Sequence, residues 1–194
     1  MIRLERLTGD ALTERLDALA GLRITVFRDW PYLYDGDIEY EQAYLQTYRQ
    51  STAAILVAAF YGDRLIGAAT GTPMEDHAED FALALADCGH PLSDIFYCAE
   101  SVLLPEYRGQ GLGHAFFDAR EAHARDLGRT HAAFCAVMRP YDHPRRPAGY
   151  RPLDAFWRKR GYAPLDGAIA HYRWKDIDQP GQTDHPLQFW MRAL

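Results

Sequence analysis

Ile95-Phe96-Tyr97-Cys98-Ala99-Glu100-Ser101-Val102-Leu103-Leu104-Pro105-Glu106-Tyr107-Arg108-Gly109-Gln110-Gly111-Leu112-Gly113 is the stretch on which the fold turns. Residues 95–104 are rich in aromatic and aliphatic side chains, and Pro105 cannot donate to a central ladder, so a strand is expected to end there. Beyond the glycines, Leu112, Ala115, Phe116, Ala119, Ala122 and Leu127 recur every three to four residues. That spacing predicts the buried face of a helix of about four turns, with Gly128 as a left-handed C-cap. Three glycines at alternate positions leave successive N–H groups unobstructed, and the helix start adds its dipole, so an anion such as pyrophosphate is favoured there. Arg108 offers a charged donor to the same anion.

Two familiar phosphate motifs do not fit. A dinucleotide fingerprint requires glycine where His114 or Phe116 stands, and a P-loop requires Gly-Lys-Ser/Thr, which is missing. Residues 103–113 instead follow the pattern Arg/Gln-x-x-Gly-x-Gly/Ala after a strand, with Arg108, Gly111 and Gly113 at its defining positions. This stretch closely resembles the acetyl-CoA motif of the GNAT superfamily of N-acyltransferases.

The resemblance implies an α+β fold: a mixed, mostly antiparallel sheet of six to seven strands flanked by helices. It implies acetyl-CoA as acyl donor with no metal, and pyrophosphate contacts at Arg108, Gly109, Gln110, Gly111, Leu112 and Gly113. Main-chain contacts to the thioester carbonyl and pantetheine fall on Ser101 and Leu103 by alignment to Arg108. The implied activity is an acetyl-CoA-dependent N-acetyltransferase, moving acetyl to a primary amine by direct attack on the thioester. Peptide or protein N-acetylation and non-catalytic acyl-CoA sensing are the alternatives.

Length and composition agree with this frame. At 194 residues and 48% hydrophobic, the chain has enough apolar surface for one core and is expected to form one domain over residues 1–194. The charged N-terminus is no signal peptide, and no apolar run approaches the roughly 20 residues of a membrane span. A soluble, cytoplasmic protein without a membrane partner is expected. A net charge of −6 argues against nucleic acid as a partner; a small-molecule amine is expected, with a homodimer left open. Cys88, Cys98 and Cys135 lack C-x-x-C spacing, and the histidines lack metal-ligand spacing. Cys98 and Cys135 read as buried strand residues.

Along the chain, strands are expected at residues 2–7, 130–138, 169–174 and 187–191, and a hairpin over residues 52–70. Helices are expected at residues 11–27, with Gly21 as a potential divide, and at residues 38–49, 76–86 and 153–160. The aromatic loop at residues 27–36 reads either as a pocket wall or as a core anchor. In the family this region and the following helix form a wall of the acceptor cleft. Trp30, Tyr32, Tyr34, Asp35 and Asp37 are therefore candidate acceptor contacts, and their rings and carboxylates favour a small cationic amine.

Thioester aminolysis requires a neutral amine, yet an alkylammonium has a pKa of about 10. Glu100, inside the central strand, is the candidate base or water-positioner; an ion pair is the competing reading for a buried acid. In many family members a tyrosine of the last helix protonates the thiolate, but Trp157 occupies that position, and an indole N–H is not a useful acid. Tyr150 and Tyr141, in the long loop 139–151, are the substitute candidates.

Overall fold

The computed structural model describes residues 1–194. In chain order the elements are β1 (Ile2–Leu7), α1 (Gly9–Thr13), α2 (Leu16–Phe27), α3 (Ile38–Tyr44), α4 (Gln46–Gln50), β2 (Ile55–Tyr61) and β3 (Arg64–Pro73). They continue with α5 (Ala78–Phe81), β4 (Ile95–Tyr97), β5 (Ser101–Leu103), α6 (Leu112–Asp126), β6 (His131–Val137), α7 (Asp154–Lys159), β7 (Ala163–Lys175) and β8 (Gln182–Ala193). The sheet runs β1-β2-β3-β4-β6-β8-β7, with β5 paired to β3 off that path. Every pairing is antiparallel except β4 with β6, which α6 connects as a crossover.

The expected mixed, mostly antiparallel α+β sheet is present, with one strand segment more than expected. The continuous strand anticipated over residues 95–104 is broken into β4 and β5, which makes eight strands. Register shows why. Thr72 faces Tyr97 and Ala69 faces Ser101, so Cys98, Ala99 and Glu100 stand opposite only Thr70 and Gly71. One extra residue on the central strand is a β-bulge. On the other side, β6 follows β4 only as far as the bond from Cys98 N to Ala133 O at 2.8 Å. Gly67 and Gly71 permit the close approach expected of them: a Cβ there would meet Leu103 and Phe96 at 2.6 and 2.4 Å.

The break is held by a side chain from α6. Arg120 is fully buried, and its guanidinium donates to Thr70 O at 3.0 Å, Glu100 O at 3.1 Å and Ser101 Oγ at 2.8 Å. Its Nε returns to Phe116 O one turn back, at 3.2 Å. No carboxylate pairs with it. The planar fork therefore bridges β3 and both sides of the bulge, adding a second donor to carbonyls that already accept from Thr70 N and Ala99 N.

Alternate residues of β4, β6 and β8 enter two different cores. Phe96, Ala132, Phe134 and Trp190 join a cluster of 28 buried residues with α1, α2 and α6. Tyr97, Ala133, Cys135 and Phe189 join a cluster of 14 on the opposite face, with Tyr34, Phe81 and Trp174. Cys98 and Cys135 are buried as expected.

Several helix boundaries differ from the periodicity. The division in the first helical segment falls at Glu14–Arg15, not at Gly21. Gly21 lies on the solvent face of α2, where its cost of about 1 kcal/mol is outweighed by burial of Leu16, Leu19, Ala20 and Leu22 on the other face. The helix expected at 38–49 breaks at Leu45, and that expected at 76–86 is reduced to a 3₁₀ turn and α5.

Replacing Arg120 with Met removes three charge-assisted hydrogen bonds and leaves Thr70 O and Glu100 O with one backbone donor each, so Arg120→Met is expected to destabilise by at least ~3 kcal/mol. Ser101→Ala removes one acceptor and is expected to cost about 1 kcal/mol. Urea unfolding checks both, and an Arg120→Met variant within ~1 kcal/mol of the parent would refute the bridging role.

Candidate active site

The glycine turn leads directly into α6. Gly109 and Gly111 adopt φ of 77° and 83°, the left-handed region, and Gly111 is the N-cap of α6. Space above both is open, since a Cβ built on either meets nothing within 4 Å. The backbone N–H groups of residues 109–113 donate to no backbone carbonyl. They form a row of free donors at the positive end of a 15-residue helix, which suits a polyphosphate anion. Arg108 turns its Nε back to Leu103 O at 3.2 Å, tying the turn to β5.

The exposed edge of β5 lies next to this cradle. Glu100 O accepts from Thr70 N, and Leu104 N donates to Ile66 O, so even-numbered residues of β5 address β3. Ser101 and Leu103 therefore aim their N–H and C=O groups the other way, into the gap left by β6. A pantetheine-like amide chain inserted there would find strand-type partners.

Below the bulge lies a cavity of about 80 Å³. Its lining comes from β4 (Tyr97), the bulge (Ala99, Glu100), β6 (Cys135), β7 (Tyr172, Trp174) and β8 (Leu187), closed by Arg23, Phe27, Tyr32, Tyr34, Tyr40 and Tyr44. Glu100 is 6% exposed, and its Oε2 receives Arg23 Nη1 at 2.8 Å, Tyr44 OH at 3.1 Å and Tyr48 OH at 3.2 Å. Its Oε1 has no hydrogen-bond partner. Glu100 thus holds an ion pair and keeps one acceptor oxygen uncommitted.

Arg23 is the hub of the charges. Its Nε donates to Glu41 Oε2 at 2.5 Å, and its guanidinium stacks 4.2 Å from the Tyr44 ring. Burial disfavours the cation, but Glu100, Tyr44 and Glu41 more than offset this and raise the Arg23 pKa above the ordinary arginine value. Burial raises the Glu41 carboxyl against the pull of Arg23. Tyr44, Tyr48 and Tyr97 are pushed up by burial, the first two also by Glu100, so all three are neutral hydroxyl donors. Burial pushes the Cys135 thiol up to about 12, which removes it as a nucleophile at neutral pH.

Of the candidate acceptor contacts, Tyr32 and Tyr34 line the cavity and Trp30, Asp35 and Asp37 do not. Trp30 packs instead against His143 and Tyr150, ring centroids 5.1 and 5.8 Å apart. Asp35 is held at the surface by Arg28 at 2.9 Å and Lys175 at 2.8 Å, and Asp37 caps α3 by accepting from Tyr40 N at 2.9 Å. Short acids in a loop were read as recognition groups, but backbone capping and surface pairing engage both. Tyr141 is 83% exposed beneath Arg146, and Tyr150 faces Trp30; neither lines the cavity. Trp157 is packed between Phe134 and Trp190 at 4.9 and 5.2 Å, a core contact.

Residues 28–37 are locked over the cavity from β7. Ile177 N donates to Leu33 O at 2.7 Å and Asp35 N to Lys175 O at 2.8 Å. Arg139 makes a bidentate pair with Asp176 at 2.7 and 2.9 Å and also donates to Pro31 O and Tyr32 O, at 2.8 and 2.6 Å. Trp174 Nε1 adds a bond to Tyr32 O at 3.1 Å. The sequence does not single out Arg23, Tyr97, Trp174 or Asp176. A signal is present for Arg23, and likewise for Arg120: they sit four residues after Leu19 and Phe116 on apolar helix faces, where a charge requires a buried partner.

No curated protein matches the chain. Among solved structures, a ribosomal-protein-alanine N-acetyltransferase from Brucella melitensis matches at TM-score 0.60 and 13% identity, covering 99% of each chain. A Drosophila melanogaster polyamine N-acetyltransferase matches at 0.61 and 14% over 100% of each. A PaiA N-acetyltransferase from Thermoplasma acidophilum, in complex with coenzyme A, matches at 0.52 and 14% over 97% of this chain and 98% of that one. At such identities the likeness is one of fold. The model of the Acetyltransferase (GNAT) family matches residues 22–148, a span that includes the glycine turn, the broken central strand and Arg23, and the chain belongs to that family of acyltransferases.

Proposed function

We propose that this protein transfers the acetyl group of acetyl-CoA to the primary amine of a small cationic metabolite held in the cavity beneath the β4/β5 break. The observation that carries the reading is the continuity of three features: free N–H groups at residues 109–113, the β5 edge at Ser101 and Leu103 that no strand pairs, and a cavity lined by Glu100.

In this reading the cradle binds the pyrophosphate, and the β5 edge holds the amide chain and polarises the thioester carbonyl. The acceptor enters as an ammonium, favoured by the carboxylates around Arg23. Glu100 draws off one proton, directly or through water, so that the nitrogen lone pair is free to attack. The N–C bond forms, the C–S bond breaks, and the sulfur keeps the bonding pair. The nitrogen then loses a second proton and the thiolate takes one up. The net change is ammonium plus thioester to amide, thiol and one released proton. Arg120 keeps Glu100 and Ser101 in register for this step through Glu100 O and Ser101 Oγ.

Release of free thiol from acetyl-CoA across a panel of amines and peptides tests the reading directly. Thiol released in step with acetylated amine supports it; acetyl-CoA binding without transfer to any amine or peptide refutes it. Gly111→Val forces a β-branched residue into a left-handed backbone at the cradle, and acetyl-CoA affinity is expected to fall at least ~10-fold with the fold retained. Calorimetry beside circular dichroism checks this, wild-type affinity being the contrary result. Glu100→Gln is expected to lower kcat by roughly 10²-fold at pH 7, with partial recovery above the amine pKa, where the acceptor is already neutral. A pH–rate profile parallel to that of the parent would remove Glu100 from proton transfer.

A further inference from the structure

We infer that the cavity selects a compact monoamine with a short apolar tail, bound as a lone cation, and rejects diamines and amines that carry a carboxylate. This rests on the acetyl-transfer reading and names the class of its acceptor.

Charge supplies the first argument. One guanidinium, Arg23, serves two carboxylates, with Glu41 at 2.5 Å and Glu100 at 2.8 Å. No other cation pairs with either acid, and both are buried, at 0% and 6% exposure. With both acids ionised, the cluster carries one negative charge beyond its cation in a place where an uncompensated charge is costly. A bound proton is one counter-charge, and an entering ammonium takes its place.

The walls supply the second. Tyr32, Tyr34, Tyr40, Tyr44, Tyr172 and Trp174 present rings that attract a cation and cover an alkyl tail. Apart from Arg23 and Glu100, every lining residue is aromatic or apolar, so a second ammonium meets no second carboxylate. A substrate carboxylate meets no cation with charge to spare, because Arg23 already faces two carboxylates, Glu41 and Glu100. Size is the third argument. A volume of about 80 Å³ is below the ~150 Å³ that admits benzene, which limits the tail to a few carbon atoms.

A matched four-carbon series tests the inference on the full chain: butylamine, 1,4-diaminobutane and 4-aminobutanoate, each with saturating acetyl-CoA. The expected kcat/KM for butylamine exceeds that of either relative by at least ~10-fold, a ratio typical of one unpaired buried charge. An equal or higher value for the diamine or the amino acid overturns the inference and leaves the transferase reading standing. Bound acetyl-CoA with no transfer to these or any other amine removes both. Tetramethylammonium, which has no N–H to acetylate and no more heavy atoms than butylamine, is expected to compete with butylamine, and lack of inhibition overturns the cation site. Glu41→Gln removes the excess charge from behind the cavity wall and is expected to raise the butylamine KM at least ~10-fold while the acetyl-CoA KM stays within twofold. An unchanged butylamine KM in a folded Glu41→Gln variant also overturns it; should that variant not fold, the series and the inhibitor on the unmodified chain decide.

Discussion

One additional residue in the central strand, held in place by a buried arginine, sets the arrangement of everything functional in this molecule. The three residues Cys98, Ala99 and Glu100 facing two on β3 cannot continue the ladder, so β5 departs from the line of β4 and β6 loses its neighbour. The carbonyls of Thr70 and Glu100 at the break each hold one backbone donor and have a lone pair left to satisfy. Arg120 supplies donors to both strands and to Ser101 at once, a task suited to a planar fork and not to a single ammonium. The bulge, the bare edge of β5 and the cavity below it are thus consequences of one local mismatch.

The same bulge brings Glu100 into the apolar interior, and the chain answers with Arg23 from α2. This arginine in turn binds Glu41 from α3, so α2 and α3 are oriented by a charged contact within an apolar stripe. Tyr44 and Tyr48 complete the shell around the Glu100 carboxylate. Such a network is demanding, because each member removed leaves another charge or dipole unsatisfied. Its reward is a carboxylate held in one orientation beside the cavity.

The remaining wall is made from the far end of the chain. Arg139, held by Asp176, and Trp174 fasten the carbonyls of Pro31 and Tyr32, while Asp176, just past β7, makes a backbone bridge to Tyr34. Leu33 takes a left-handed φ of 54°, an uncommon state for a branched residue, and is kept there by burial and by the bond its carbonyl accepts from Ile177. A loop that looks loosely ordered in sequence is therefore an anchored surface.

The sequence by itself determined the local grammar. Apolar runs, the glycine turn and the three-to-four periodicity of residues 112–127 specify the strand–cradle–helix unit, because those signals act over one or two turns of chain. It also determined the class of fold and the family through the spacing of Arg108, Gly111 and Gly113. Only the tertiary structure decided that the central strand breaks, since a bulge depends on register with β3. Only it decided that Glu100 meets Arg23, that Asp35 and Asp37 serve as a surface pair and a helix cap, and that Trp157 is core. Those outcomes depend on which residues from distant segments share a few ångströms, and a charge on an apolar stripe announces the need for a partner without naming it.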